Sequence, residues 1–460
     1  MKDPRLIEGQ WYIFGDDQAA AYGTLRVEPE SGLSLEVKIP RNLEDGAIRR
    51  PFGNFNCPET IHGIESQGQP ITLLGCMGAE SSYTDGLDSY RIRPLLGIVG
   101  GHFGKWNEIT SQTVRADYSI LDQWLRRSTI KSQHDSECMV FTQGPIPGIE
   151  VPLPDDEQIV ITCGYTHQLG IGELHLTQRH SAHFNFPKPR PVTEIRAKYV
   201  HVFRQMLTFF TGSEVFIDEI EFAGGQFSKN KLINSTLDPA SAKRELSYGR
   251  RLVDYLEIAD RFPEIVASWF AYHSEMEPIF DLYFSACWNT EMPVTTKFLL
   301  LAQALEAYHS RSPRYESAVQ KTEDFRHRVD AILAGVAEDT EKTWLQKKLC
   351  HANQKTLAQR LDELIGTHHK EVASFIPDSA AFAKTIRHTR NYLTHFDEEL
   401  RRRKKVPEIT SLTKIRIQMK ALLEICFLRD LKLPEIAVSR VVARTQNIKF
   451  VSLESFPSNS

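Results

Sequence analysis

The sequence is short of several things, and each shortage removes a class of protein. Its seven cysteines (Cys57, Cys76, Cys138, Cys163, Cys287, Cys350 and Cys426) are scattered, with no C-x-x-C pair and no Cys/His cluster. A structural zinc site and a disulfide framework are therefore both unexpected. No stretch approaches the roughly 18–20 apolar residues that cross a bilayer; Thr208–Phe210 and Phe298–Ala302 are apolar but short. Residues 1–17 hold no apolar run of the kind a secretory leader carries. No membrane partner and a reducing, cytoplasmic setting are expected. Positive excess is missing too: 55 Lys and Arg against 59 Asp and Glu give a net charge of −4. That excludes a globally basic nucleic-acid coat and leaves room only for a local basic patch. There is no internal repeat and no low-complexity tract.

What is present is an ordinary globular composition, 41% hydrophobic and 25% charged over 460 residues. That length is too great for one core, so two or three domains are expected. The pattern changes once along the chain. Up to about residue 230, Gly, Pro, Asn and Asp punctuate short alternating runs. Residues 23–27 and 32–37 alternate with period two around a Pro29-Glu30-Ser31-Gly32 turn, the mark of paired half-buried strands. Residues 71–76, 159–163 and 214–222 read as further strands, and 121–127 and 193–211 as helices. The prolines between 145 and 154 suggest a linker between two β-rich subdomains.

From about residue 240 the spacing becomes three and four. Thr295 and Thr296 are placed to cap a helix in which Phe298, Leu301, Leu305 and Tyr308 share a face. Segments 245–260, 263–274, 316–335, 340–350, 355–366, 378–396, 410–430 and 434–446 also read as helices. Pro407 and Pro434 stand at or before the starts of the last two, where proline is tolerated. The expected fold is α+β and multidomain. A β-rich region, sandwich- or barrel-like with a few helices, spans 1–235, with a break near 140–155. An all-α bundle follows over 240–450, and 451–460 is a tail.

One helix stands out chemically. Wound at 100° per residue, residues 382–398 put Phe382, Ile386, Thr389, Leu393 and Phe396 on a core-facing stripe. Lys384, Arg387, His388 and His395 gather around Asn391 on the other side, with Arg390 on the flank. Two histidines, an amide and several cations on one face suit an anionic substrate. An Arg followed by His after four to six residues arises about once by chance in a chain of this size. Arg196 to His201 and Arg127 to His134 are two such occurrences here. On spacing alone, a structural or simple anion-binding reading stands level with a catalytic one.

The wider phrases carry a resemblance. Arg390-Asn391-Tyr392-Leu393-Thr394-His395 on a late helix is similar to the R-polar-x(4–6)-H signature of HEPN ribonucleases. Residues 298–309 and 389–397 resemble the HEPN domain of the ApeA-like anti-phage family. Gly9-Gln10-Trp11, residues 23–25, 71–74, Gly100-Gly101-His102-Phe103 and residues 121–125 resemble that family's N-terminal domain. The resemblance implies an endoribonuclease of abortive infection that works without metal or other cofactor. Attack of an RNA 2′-hydroxyl on the adjacent phosphate would leave a cyclic phosphate. It implies that His395 moves protons, that Arg390 holds the scissile phosphate, and that Asn391 orients the imidazole or hydrogen-bonds the substrate. A single motif per chain implies a homodimer with a composite cleft.

Supporting expectations attach to neighbouring residues. Glu306 is expected to pair with Arg390 or else to be a solvated charge, and Tyr392 to support the motif. Lys384, Arg387, Arg401, Arg402 and Arg403 are expected RNA contacts; the run through Lys405 is equally a solvated helix end. His388 reads as a cleft-lining or surface residue. In the N-terminal half, His180 and His183 lack further ligands and are not taken as a metal site. Trp11, Tyr12 and Trp106 read as packing residues rather than a ligand platform. That half is expected to sense a phage-derived trigger. Two rivals remain at this level: an RNA- or anion-binding protein that does not cleave, and a toxin restrained by a nucleotidyltransferase.

Overall fold

The computed structural model describes residues 5–13, 21–28, 32–40, 58–84, 87–134, 139–171, 173–224, 227–233, 246–247, 249–396, 398–402 and 406–447. The chain divides into two compact units, 1–270 and 271–460. The division falls inside one continuous helix, Phe262–Trp288.

The N-terminal unit is built on one fourteen-stranded sheet in which the described neighbours pair antiparallel. Its order runs from Ile149–Pro152 through Gln158–Gly170, Glu173–Pro191, Thr110–Tyr118, Ile217–Gly224 and Phe227–Ile233 to Leu96–Val99. It continues through Pro70–Leu74, Thr60–Glu65, Arg5–Ile13, Ala21–Glu28, Gly32–Pro40 and Leu87–Arg93 to Met77–Thr84. Buried side chains pack on this sheet in two places. In one, Ile7, Trp11, Leu25, Leu35, Val37, Ile61, Ile71 and Ile92 form a single buried cluster. In the other, Tyr118 and Phe184 of the sheet pack on Phe203, and Trp124 packs on Phe210.

Gly63 explains how the first cluster closes. A Cβ there would lie 2.4 Å from the Trp11 ring, so the strand Thr60–Glu65 must be bare where the indole lies against it. The indole N–H in turn donates to the Gly23 carbonyl at 3.1 Å. Trp11 is fully buried, whereas Tyr12 and Trp106 are half-buried.

The expected linker over 145–154 is not one. Residues 149–152 form a strand paired to 158–161, because the prolines stand at its ends or on its exposed edge, where no ladder N–H is needed. Residues on both sides of it belong to the same sheet. The expected strand over 214–222 begins three residues later, at Ile217.

In the second unit, helices run Val294–Arg311, Thr322–Ala334, Asp339–Leu349, Leu357–Thr367, Ser379–His395, Ile409–Asp430 and Glu435–Gln446. Phe298, Leu301, Leu305 and Tyr308 are all buried, as their shared face requires. Thr295 and Thr296 do not cap: the helix begins at Val294 with Pro293 at the cap, which puts both threonines inside the first turn. Two helix spans also differ from expectation. Among the described residues of 245–260 only Tyr255–Ile258 is α-helical, started by an Asp254–Glu257 capping box. The segment expected to end at 274 continues to Trp288 through Pro278, since buried Ile279, Phe280 and Tyr283 hold the helix beyond the one hydrogen bond proline removes.

Candidate functional site

The motif helix, Ser379–His395, starts where the Asp378 carboxylate accepts the Ala381 N–H at 2.9 Å. It packs against the helices Leu357–Thr367 and Val294–Arg311 through buried Phe382, Ala383, Ile386 and Thr389. Leu393 is only half-buried and Phe396 is 70% exposed, so the core stripe is shorter than expected. The cause is local. The helix ends at His395, and Phe396 takes the left-handed conformation (φ 50°) with its N–H on the Tyr392 carbonyl. Beyond that turn the 100° projection no longer applies.

Arg390 lies on the helix flank and is held from two sides. Its Nη2 is 3.8 Å from Glu306 Oε2 on the neighbouring helix, and its Nη1 donates to Asn391 Oδ1 at 3.4 Å. The Glu306 contact is thus present, while both side chains keep part of their solvent exposure. His395 is exposed at the helix end, and among the described residues its imidazole has no hydrogen-bond partner. Thr394 donates its hydroxyl to the Arg390 carbonyl, 2.8 Å away, which ties the last turn down. Tyr392 is half-buried and meets the Phe396 ring edge-on, centroids 6.2 Å apart.

The expected cations fall unevenly. Lys384 is exposed, and Arg387 is half-buried beside His388, 3.5 Å from its Nε2. Arg401 and Arg402 belong to the short helix Glu398–Arg402, with Arg402 exposed. Arg403, Lys404 and Lys405 lie outside the described residues.

Sequence reasoning missed what fixes the frame around the motif. His309, fully buried, sits 2.7 Å from Glu363 Oε2 through Nε2 and 3.2 Å from Arg360 Nη1 through Nδ1. A guanidinium only donates. Nδ1 must therefore accept, and the neutral Nε2–H imidazole donates to Glu363. Burial first, then Arg360, keeps its pKa below the ordinary value, against the pull of Glu363. Arg360 also donates to Ser310 Oγ at 2.5 Å, and Lys355 pairs with Glu363 at 2.5 Å. This network clamps the Glu306-bearing helix to Leu357–Thr367, the two elements that seat the motif helix. Arg360 and Glu363, three apart on one helix face, were the only sequence signal, and their partner lies some fifty residues away.

In the N-terminal unit, His180 is buried against the Asp122 carboxylate at 2.7 Å, and His183 meets Thr162 Oγ1 at 3.0 Å. The two histidines thus serve separate local bonds. Among the described residues no three His, Cys, Asp or Glu side chains gather as metal ligands, and no helix is long and apolar enough to cross a membrane.

Comparison with known families agrees with this layout. The family model described as ApeA N-terminal domain 1 matches residues 7–269, more than half the chain, and ends where the first compact unit ends. The model described as Apea-like HEPN matches residues 299–436, which include Glu306, Arg390 and His395. No curated protein and no solved structure matches the chain. Together the two domains mark an anti-phage HEPN nuclease family.

Proposed function

Since this chain belongs to the ApeA family, we propose that its helical unit is a metal-independent endoribonuclease acting in abortive infection. One observation carries the reading. Arg390, anchored by Glu306 and Asn391, shares a helix end with His395, whose exposed imidazole is unengaged among the described residues.

The chemistry follows from those groups. An RNA 2′-oxygen attacks the adjacent phosphorus; the O2′–P bond forms, the P–O5′ bond breaks, and a cyclic phosphate and a 5′-hydroxyl result. An imidazole takes the 2′ proton, and a second proton must reach the leaving O5′. His395 supplies one transfer, and His395 of a second copy supplies the other, so the working form is a homodimer. Arg390 spans two phosphate oxygens with its planar fork and offsets the charge that builds on them at the transition state. Asn391 and Tyr392 orient these groups. Lys384, Arg387 and the cations from Arg401 to Arg403 attract the RNA backbone. The N-terminal unit senses a phage-derived trigger, and the setting is cytoplasmic.

The test is RNA cleavage in EDTA, with phage plaquing in parallel, for wild type, Arg390→Ala and His395→Ala. Both variants are expected to fold and to lose both activities. Full activity in both would sink the assignment, and intact RNA binding without cleavage by the wild type would leave only a binding role.

A further inference from the structure

We infer that the helical hairpin Thr322–Ala334 and Asp339–Leu349 of the second unit is a surface on which a second copy of this chain docks, through antiparallel pairing of Asp339–Leu349 with its counterpart. The hairpin is tied at its base. The Val319 N–H donates to the Asn353 carbonyl at 2.8 Å, the Gln320 N–H to Asn353 Oδ1 at 3.0 Å, and Asn353 Nδ2 to the Gln320 carbonyl at 2.9 Å. Beyond that base the two helices pack chiefly on each other. Neither holds a buried residue. Phe325, Val329, Leu333, Leu345 and Leu349 are only half-buried. Helices of 13 and 11 residues are marginal in water by themselves, and most draw their stability from burying one face. This pair buries none, so its exposed side is fit to be covered by a partner.

The partner is indicated by the residues of Asp339–Leu349. Trp344, at the middle of that helix, is 56% exposed. An indole left in water on a helix with no buried face is the kind of anchor that protein interfaces use. The charges around it are ordered, with Asp339 and Glu341 before it and Lys347 and Lys348 after it. The helix dipole favours that order by itself, but it does not call for the indole between. At 100° per residue, Glu341 and Lys348 lie about 60° and 40° to the same side of Trp344, one below it and one above it along the axis. Both are exposed, and among the described residues neither has an ion pair. A two-fold axis beside Trp344 reverses the helix direction and keeps that side. It brings the two indoles together and sets each Glu341 opposite the other copy's Lys348, twice in the pair. Such self-complementarity is what an interface between identical surfaces requires, and two hairpins joined this way make a four-helix arrangement. A foreign partner would need no charge order that matches itself. The surface lies off the motif helix and is read without the nuclease assignment.

Sedimentation equilibrium of the full chain without RNA tests this for wild type, Glu341→Lys, Lys348→Glu, the double reversal, and the two single variants mixed. The wild type is expected to self-associate with a micromolar Kd, as suits a small interface. Each single reversal opposes like charges twice and should weaken association by roughly 10–100-fold. The double reversal and the equimolar mixture restore both pairs and should return to the wild-type Kd. That rescue also shows that the variants fold. Trp344→Ala should weaken association at least ~10-fold. A wild type that stays a single chain up to about 100 µM would overturn the proposal and leave this face to another partner. Single reversals that leave the Kd unchanged would also overturn it, since the copies would then meet elsewhere. So would losses that neither the double reversal nor the mixture restores. Mass is read without cleavage, so failure of the nuclease reading leaves these outcomes untouched.

Discussion

Glu306 and Arg390 face each other at 3.8 Å across two helices of the second unit, with side chains 35% and 41% exposed. At that separation and exposure the pair adds only about 0–1 kcal/mol to stability. Its consequence is positional: it restricts where the guanidinium points. Glu306→Gln is therefore expected to leave the unfolding free energy nearly unchanged while slowing RNA cleavage roughly 10-fold. In an Arg390→Ala background the same change should have no further effect. Additive losses in that double-mutant cycle would show that Glu306 does not act through Arg390.

Arg390→Lys keeps the charge and loses the fork. Cleavage is expected to fall by roughly 10²–10³-fold, and His395→Ala should fall by at least ~10². Both sites are solvent-accessible, so unfolding free energies from denaturant titration should stay within about 0.5 kcal/mol of wild type. A large drop in midpoint would mean that the residues serve folding rather than catalysis.

Acid should weaken the second unit before its carboxylates titrate. Burial holds His273 down to about 4, and burial with Arg360 keeps His309 below its ordinary value. Unfolded, each takes a proton near ~6.5. Below that pH the unfolded state binds more protons, so stability falls as pH drops, for His273 until about 4. Above ~6.5 neither contributes a slope. The loss approaches about 1.4 kcal/mol per pH unit for each histidine kept neutral. Urea midpoints at pH 7.5, 6 and 5 check this; a flat profile, or an unchanged one in His273→Phe, would contradict it.

Gly63→Ala should destabilise the N-terminal unit by about 1–3 kcal/mol, since its Cβ would lie 2.4 Å from the Trp11 ring. Tryptophan fluorescence during thermal unfolding reads the change. A variant as stable as wild type would place the indole elsewhere.

Much of the architecture was legible because periodicity is local. The change from period two to spacing three and four separated the sheet from the bundle, and the motif helix came out as Ser379–His395 against an expected 378–396. Its buried residues Phe382, Ile386 and Thr389 follow from rotation alone. The core stripe of the motif helix and the end of the helix expected over 263–274 were misjudged where rotation is interrupted or sustained by packing, at the left-handed Phe396 and at Pro278.

Arg390-Asn391-x-x-x-His395 was fixed by the sequence as one helix end carrying a cation, an amide and an imidazole. Tertiary structure alone decided the rest. It brought Glu306 to Arg390, buried His309 between Glu363 and Arg360, and joined fourteen strands across the supposed linker. The physical reason is the same each time. Helical and strand periods encode which way a side chain faces within its own element, but a partner fifty or more residues away is chosen only when the elements pack.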